Sequence, residues 1–295
     1  MKERDRVVIG FLSPGYVDPM FAISLVRIYK ERSGVHNARR VGTVFDIATD
    51  ENSGLLSRGR NQLAFRFMQA YDAEWMLMLD SDQQLTVEGF DKLCAAAHDT
   101  ERPIVAGLYF GAWGGDFYPT PVPLIFLEHP ERPGRFTPIQ GYPRDQVIPV
   151  DSAGTGCLLV HRSVFEKIAA EAGPHEMAHF DDGTSAARWC WFRDMPVNGD
   201  WFSEDHFFCA RAREVGFQLH AHTGVMLPHR KRFWLEEKHH LALHPDMLTP
   251  EELREPRWAG FAQHLETEQP ETTEAEPAPE RAVKPRPIKR KPVRR

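Results

Sequence analysis

Five consecutive apolar residues, Trp75 to Leu79, end without transition in Asp80-Ser81-Asp82. A run that is apolar at every position suits a central strand of a parallel sheet covered on both faces, because a half-exposed strand would alternate. In extended backbone, residues i and i+2 point to the same side, so Asp80 and Asp82 aim two carboxylates at one point while Ser81 faces away. At the carboxyl end of such a strand, that point lies where open α/β sheets bind ligands. Two hard oxygen donors suit Mg²⁺ or Mn²⁺, which complete their octahedra with waters and substrate phosphate oxygens, so the pair implies a phosphorylated ligand. A polar turn after a strand also explains D-x-D, and only the strand context separates the two readings.

The surrounding sequence supplies that context. "VVIGFLS" reads as a strand ended by Pro14 and Gly15, with Asp18 as the cap and Pro19 as the first position of a helix. "RRVGTVFDIA" reads as a second strand, "SRGRNQLAFRFMQAY" as a helix capped by Ser57, "VEGFDKLCAAAH" as a helix capped by Thr86, and "PIVAGLYF" as a further strand. Strands and helices thus alternate over residues 1–110, as in βαβ folds. From 111 the chain turns to Gly, Pro and aromatics, which predicts loops and irregular hairpins over one sheet face. "GCLLVH" restores a strand, Ser163 and Glu166 read as a capping box for the next helix, and Ser203 and Gly216 bracket "EDHFFCARAREVG".

Composition bounds what such a chain does. With 295 residues, 42% of them hydrophobic, it builds one substantial core, and a net charge of -6 argues against nucleic acid as the main partner of the folded part. Cys94, Cys157, Cys190 and Cys209 stand singly without CxxC spacing, which indicates neither a zinc knuckle nor a dense disulfide framework and suits a reducing cytoplasm. No stretch approaches the ~18 apolar residues of a membrane span. The expected fold is α/β, a mixed, mainly parallel sheet flanked by helices over residues 1–264, with halves near 1–110 and 111–240 and an extension at 241–264. Residues 265–295 change to Glu, Thr, Pro and Ala and then to "RAVKPRPIKRKPVRR", a disordered tail whose basic end suits an anionic partner.

Three further groups carry chemistry. Glu204 and Asp205 open a helix, where carboxylates favour the dipole but also suit a general base for an acceptor hydroxyl. His222 and His229 bracket an apolar stretch, and either imidazole can complete a metal shell. In "VDSAGTGCLLV", Gly154 and Gly156 permit close backbone approach and positive φ, while Asp151 and Thr155 supply polar contacts.

Taken in order, "SRGRN", "MLMLDSD", "PIVAGLY", "VDSAGTGCLLVHRSVFEKI" and "SEDHFFCARAREVGFQLHAHTGVMLPH" resemble the GT-A glycosyltransferases of the family 2-like group, including bacterial and bacteriophage forms. The resemblance spans roughly residues 7–229. It implies a nucleotide-diphosphate sugar donor, UDP- or GDP-linked, held in the first half with Mn²⁺ or Mg²⁺, and an acceptor in the second half: a protein, glycan, lipid or nucleic acid. Asp80 and Asp82 match the D-x-D, His229 the late histidine of the metal or diphosphate site, and Asp205 the base of inverting members, with Glu204 beside it. Arg60 and Asn61 match the "RN" facing nucleotide or phosphate. Ser13 and Pro14 end the first strand, and Asp46 the second, where relatives hold the nucleobase. Gly154, Thr155 and Gly156 fall in the matched loop. The segment after "AGLYF" departs from the pattern, carrying Trp113 and glycines in place of a basic residue, and His222 stands where relatives often have aspartate. Rival readings are a sugar-nucleotide pyrophosphorylase, which would want a Gly-rich basic loop after the first strand, and a nucleotide- or carbohydrate-binding scaffold without turnover.

Overall fold

The computed structural model describes residues 6–13, 15–32, 43–50, 56–113, 120–171, 177–179, 187–189, 191–197 and 199–231, with backbone alone for 43–50, 113, 177–179, 187–189 and 200. Pro14, Cys190, the extension at 241–264 and the tail at 265–295 lie outside the described residues.

The first half alternates as expected: β1 (Arg6–Leu12), α1 (Pro19–Arg32), β2 (Thr43–Asp50), α2 (Leu56–Ala70), β3 (Trp75–Leu79), α3 (Val87–Ala96) and β4 (Ile104–Leu108). A hairpin of β5 (Phe110–Trp113) and β6 (Thr120–Pro123) follows, then β7 (Ile125–Glu128), β8 (Phe136–Pro138), β9 (Val147–Val150), β10 (Ser152–Ala153) and β11 (Cys157–His161). The remainder is α4 (Arg162–Glu171), two short hairpins, β12 (Met177–His179) with β13 (Ala187–Trp189) and β14 (Met195–Val197) with β15 (Asp200–Phe202), then α5 (Glu204–Glu214) and β16 (Leu219–Met226).

Seven strands form one sheet in the order β2-β1-β3-β11-β4-β16-β9. Five share one direction, while β11 and β9 oppose it, so the sheet is mixed and mainly parallel. The position of β3 explains its composition. Trp75, Leu77 and Leu79 join the core with Phe21, Ile28 and Phe90 of α1 and α3, whereas Met76 and Met78 join Leu63, Phe67 and Phe165 of α2 and α4. Successive residues thus feed two apolar layers, and neither face tolerates a polar side chain.

The antiparallel insertion of β11 arranges the sheet's carboxyl edge. After β4 the chain makes its long excursion above that edge and re-enters from there, so Cys157 pairs with Leu79 and His161 with Trp75. The loop before β11 therefore lies beside the end of β3. Strand β16, parallel to β4, returns the chain to the same edge. There the register shifts between His222 and Met226, and the Leu227 amide donates to Leu108 O at 3.0 Å. No helix among the described residues is long and apolar enough to cross a membrane.

Several local expectations need correction. Helix α2 begins at Leu56, so Ser57 lies inside its first turn rather than capping it. The capping box at Ser163 and Glu166 does not form. Helix α4 starts at Arg162, and the His161 ring takes the capping place, its Nδ1 accepting from the Ser163 amide at 3.3 Å and lying 2.8 Å from Ser163 Oγ. Ser203 does precede α5, yet its side chain makes no capping hydrogen bond. Asp46 does not end the second strand: it pairs with Val8 inside β2, which runs on to Asp50. By contrast Thr86 caps α3 through Gly89 N at 3.0 Å, Asp18 Oδ1 accepts from Met20 N at 2.8 Å, and Gly216 (φ 92°) stops α5.

Candidate metal and acid cluster

Strand β3 closes where the Asp80 amide donates to Gly156 O at 2.9 Å and the Gln83 amide turns back to Asp80 O at 3.2 Å. Asp80 and Asp82 therefore occupy a turn and not the extended backbone that the i, i+2 argument assumes. Their carboxylates still converge, because the turn is held from both sides. Ser81 O accepts from the Asp18 amide at 3.0 Å, and Asp82 O accepts from the Arg230 amide at 2.9 Å. A short antiparallel pairing of Gln83 with His229, supported by Gln84 N to Pro228 O at 3.1 Å, carries the histidine to the aspartates.

Asp80, Asp82 and His229 each offer one ligand atom, all within 4.8 Å of one another. His229 Nδ1 lies 2.8 Å from Phe110 O, a carbonyl that only accepts, so this nitrogen carries the hydrogen. Nε2 is thereby turned, 3.2 Å away, toward Asp82 Oδ2. A lone pair facing a carboxylate needs a proton or a cation between them, which suits a divalent ion held by two carboxylates and one imidazole. Burial pushes the Asp82 carboxyl upward, but His229 and Lys231 outweigh it and hold it below its usual range. His222 stays outside this group: it lies within β16, pairs with Gly107 and Val147, and its Nδ1 accepts from Gly224 N at 3.1 Å.

Behind the triad sits a buried charge cluster. Arg60, 6% exposed at its side chain, pairs through Nη1 with both Glu204 and Asp205 and through Nη2 with Asp80 Oδ1 at 3.3 Å. This guanidinium neither caps the surface nor stands free for a phosphate; it ties the turn after β3 to the first turn of α5. Burial opposes its charge, but Asp205, Asp80 and Glu204 together raise its pKa further. Three acids share one cation. Burial, together with the neighbouring carboxylates Asp205 and Asp82, pushes Asp80 up despite Arg60, and burial and Asp205 push Glu204 up to about 7. Asp205 also accepts a hydrogen bond from Thr155 Oγ, so both of its contacts fall on Oδ1.

A pH dependence follows. Between its unfolded value near 4.5 and about 7, Glu204 keeps a proton that the unfolded chain has released, so it lowers stability as pH rises through that window. Glu204→Gln removes this loss. Its melting temperature relative to the parent is expected to be higher at pH 8 than at pH 5, read by thermal denaturation in chelator.

The remaining sequence candidates are placed as follows. Gly154 and Gly156 do not adopt positive φ; what they supply is space. A Cβ on Gly156 would collide with Gln83 Nε2 and Asp80 Oδ2 and sit 2.8 Å from the Tyr109 hydroxyl. Gly156→Ala is expected to lose about 1–3 kcal/mol by overpacking and to weaken Mn²⁺ binding, both readable by thermal shift with and without the ion. Asn61 has a different task from phosphate contact: its Oδ1 accepts from the Trp191 amide at 2.7 Å and its Nδ2 donates to Phe192 O at 2.7 Å, anchoring that segment. Ser13 Oγ donates to Tyr16 O at 3.1 Å at the end of β1, beside a cleft of about 300 Å³ lined by Tyr16, Val17, Asp18, Pro19, Ser81, Asp82 and Arg230. The side chain of Asp46 lies outside the described residues.

Gln83 and Tyr109 were not legible as site residues. Nothing in "DSDQQL" distinguishes one glutamine from the other, and Tyr109 reads as the apolar end of a strand. Tyr109 Oη accepts from the Gly156 amide at 3.0 Å, and burial, with Asp80 and Asp205, keeps its proton in place well above the usual range.

No family model matches the chain, and no curated protein matches it. Solved structures that match include the crystal structure of A197 from STIV, at 13% identity and a TM-score of 0.45, covering 77% of this chain and 86% of that one. They also include the crystal structure of GalNAc-T7 with UDP, GalNAc and Mn²⁺, at 10% identity and a TM-score of 0.43. That match covers 78% of this chain but spans only 44% of GalNAc-T7's own length.

Proposed function

We propose that the protein is a metal-dependent glycosyltransferase that moves a sugar from a UDP- or GDP-sugar to an acceptor hydroxyl with inversion at the anomeric carbon. The observation that carries this reading is the joining of two groups by Arg60: the Asp80–Asp82–His229 triad on one side and Glu204 with Asp205 on the other. Asp80, Asp82 and His229 would hold Mn²⁺ or Mg²⁺. Such an ion, when bound, offsets the negative charge that grows on the departing diphosphate.

The chain's own groups do the rest. The Phe110 carbonyl keeps the His229 proton on Nδ1 and leaves Nε2 free for the ion. The cleft formed by Tyr16, Asp18 and Ser81 takes the nucleoside, with Arg230 in its lining and Lys231 paired to Asp82 as the cations that meet phosphate oxygens. Arg60 and Thr155 fix Asp205 through Oδ1, which leaves Oδ2 to receive the acceptor's proton. The acceptor oxygen then forms its bond to the anomeric carbon as the bond from that carbon to the diphosphate oxygen breaks. Glu204, whose carboxyl burial and Asp205 push up to about 7, carries less than a full negative charge near neutral pH and so limits the negative charge around the reacting carbon.

A second reading, nucleotide binding without turnover, draws on one observation: Asp205 is already engaged by a guanidinium and a hydroxyl. The two separate on incubation of the full chain with UDP- and GDP-sugars. Release of UDP or GDP that requires Mn²⁺ and stops in chelator is expected for a transferase. Nucleotide-dependent thermal stabilisation without release would instead establish a binding protein.

A further inference from the structure

Gln83 is 1% exposed, and neither Oε1 nor Nε2 has a hydrogen-bond partner among the described residues. A buried polar group left unpaired keeps its desolvation penalty without compensation, so an amide kept in such a place calls for a partner within reach of a small rearrangement. Its neighbours identify one. Nε2, the Asp80 Oδ2 and the Tyr109 hydroxyl all lie within 2.8 Å of the point a Cβ on Gly156 would occupy, in space that exists because this residue has no side chain. Tyr109 takes the Gly156 amide hydrogen, but its own hydroxyl hydrogen meets no acceptor among the described residues. Asp80 is held by Arg60 through Oδ1, and its Oδ2 likewise has no partner there. Two donors and two acceptors thus stand unpaired side by side.

We propose that Gln83 is a positioning residue for Asp80: once the cation site is loaded, Gln83 Nε2 donates to Asp80 Oδ2 while Gln83 Oε1 accepts the Tyr109 hydroxyl hydrogen. The chain Gly156, Tyr109, Gln83 then grips one carboxylate oxygen while Arg60 grips the other, and the carboxylate is fixed in plane for its ligand. This inference rests on the metal reading of the Asp80–Asp82–His229 triad. The unpaired amide lowers the stability of the metal-free chain and is satisfied only when the site is filled.

Gln83→Met keeps length and volume but removes both polar atoms. In the full chain without metal, its melting temperature is expected to equal or exceed that of the parent. Its Mn²⁺ dissociation constant, read from the paramagnetic resonance signal of free Mn²⁺, is expected to rise at least about tenfold, the usual effect of losing an outer-shell partner of a metal ligand. A merely structural glutamine would move these two readouts together. Tyr109→Phe is expected to weaken Mn²⁺ binding less, and adding it to Gln83→Met to weaken it no further, because the two act in one chain of hydrogen bonds. Wild-type affinity in both single variants would overturn the inference alone. A parent chain that binds no Mn²⁺ would overturn the reading of the triad and this inference with it.

Discussion

Asp82→Asn is expected to reduce Mn²⁺-dependent release of UDP or GDP by at least about a hundredfold, the scale seen when one group aimed at developing charge is removed. The substitution preserves shape but removes the charge and turns one acceptor oxygen into a donor, so the loss reports on the carboxylate as a ligand and not on packing. Asp82 is the aspartate that faces His229 Nε2 at 3.2 Å and Lys231 Nζ at 3.5 Å, and these keep its carboxylate ionised against partial burial. An amide there neither balances the Lys231 charge nor ligates a hard ion comparably. Because the Asp82 side chain is 42% exposed, the metal-free melting temperature should change little. The stabilisation that Mn²⁺ gives the parent should vanish, which thermal shift measures directly. Undiminished Mn²⁺-dependent release by the variant would exclude Asp82 as a ligand.

Arg60→Leu is expected to have the largest effect on stability. It removes a buried cation from among Asp80, Glu204 and Asp205, and breaking such a pair from one side costs about 3–5 kcal/mol. For a chain of this size that lowers the melting temperature on the order of 10 °C. The deficit has a defined pH dependence. Asp80 and Glu204 are already pushed up by burial, and without the guanidinium they lose the cation that pulls them down, so the variant binds protons more readily when folded. Its stability therefore falls as pH rises, and the gap from the parent is expected to be wider at pH 8 than at pH 5, by urea denaturation at each pH. Arg60→Lys keeps the charge but loses the fork that reaches two groups from Nη1 and a third from Nη2, so it should recover only part of the loss.

The legible features were those whose cause is local. Trp75 to Leu79 announce a doubly covered strand, Asp18 with Pro19 and Thr86 announce helix starts, and Gly216 announces a stop, because each depends on residues within one turn of itself. The capping prediction at Ser163 failed for a related reason: the adjacent His161 ring competes for the same amide, and propensity does not rank two neighbours. The antiparallel placement of β11 and the recruitment of β9 to the sheet edge were not legible either. Both depend on where a long excursion re-enters the sheet, and Gly- and Pro-rich loops do not encode that choice.

For the candidate site the division is similar. Residue types alone mark Asp80, Asp82, Glu204, Asp205 and either His222 or His229 as capable of metal and proton chemistry, since hard oxygen donors, an imidazole and helix-opening acids are chemical facts of the sequence. Their convergence belongs to the tertiary structure. The pairing of Gln83 with His229 sets the triad. Arg60, read as a nucleotide contact, is instead the buried counter-ion between the triad and the acids, while Asn61 turns to the backbone of Trp191 and Phe192. The sequence by itself determined the alternation of elements, because hydrophobic periodicity and capping act over a few residues. Only the folded sheet decided which distant charges share a guanidinium and which buried amide is left unpaired, because Coulomb and hydrogen-bond energies depend on distances that no spacing along the chain specifies.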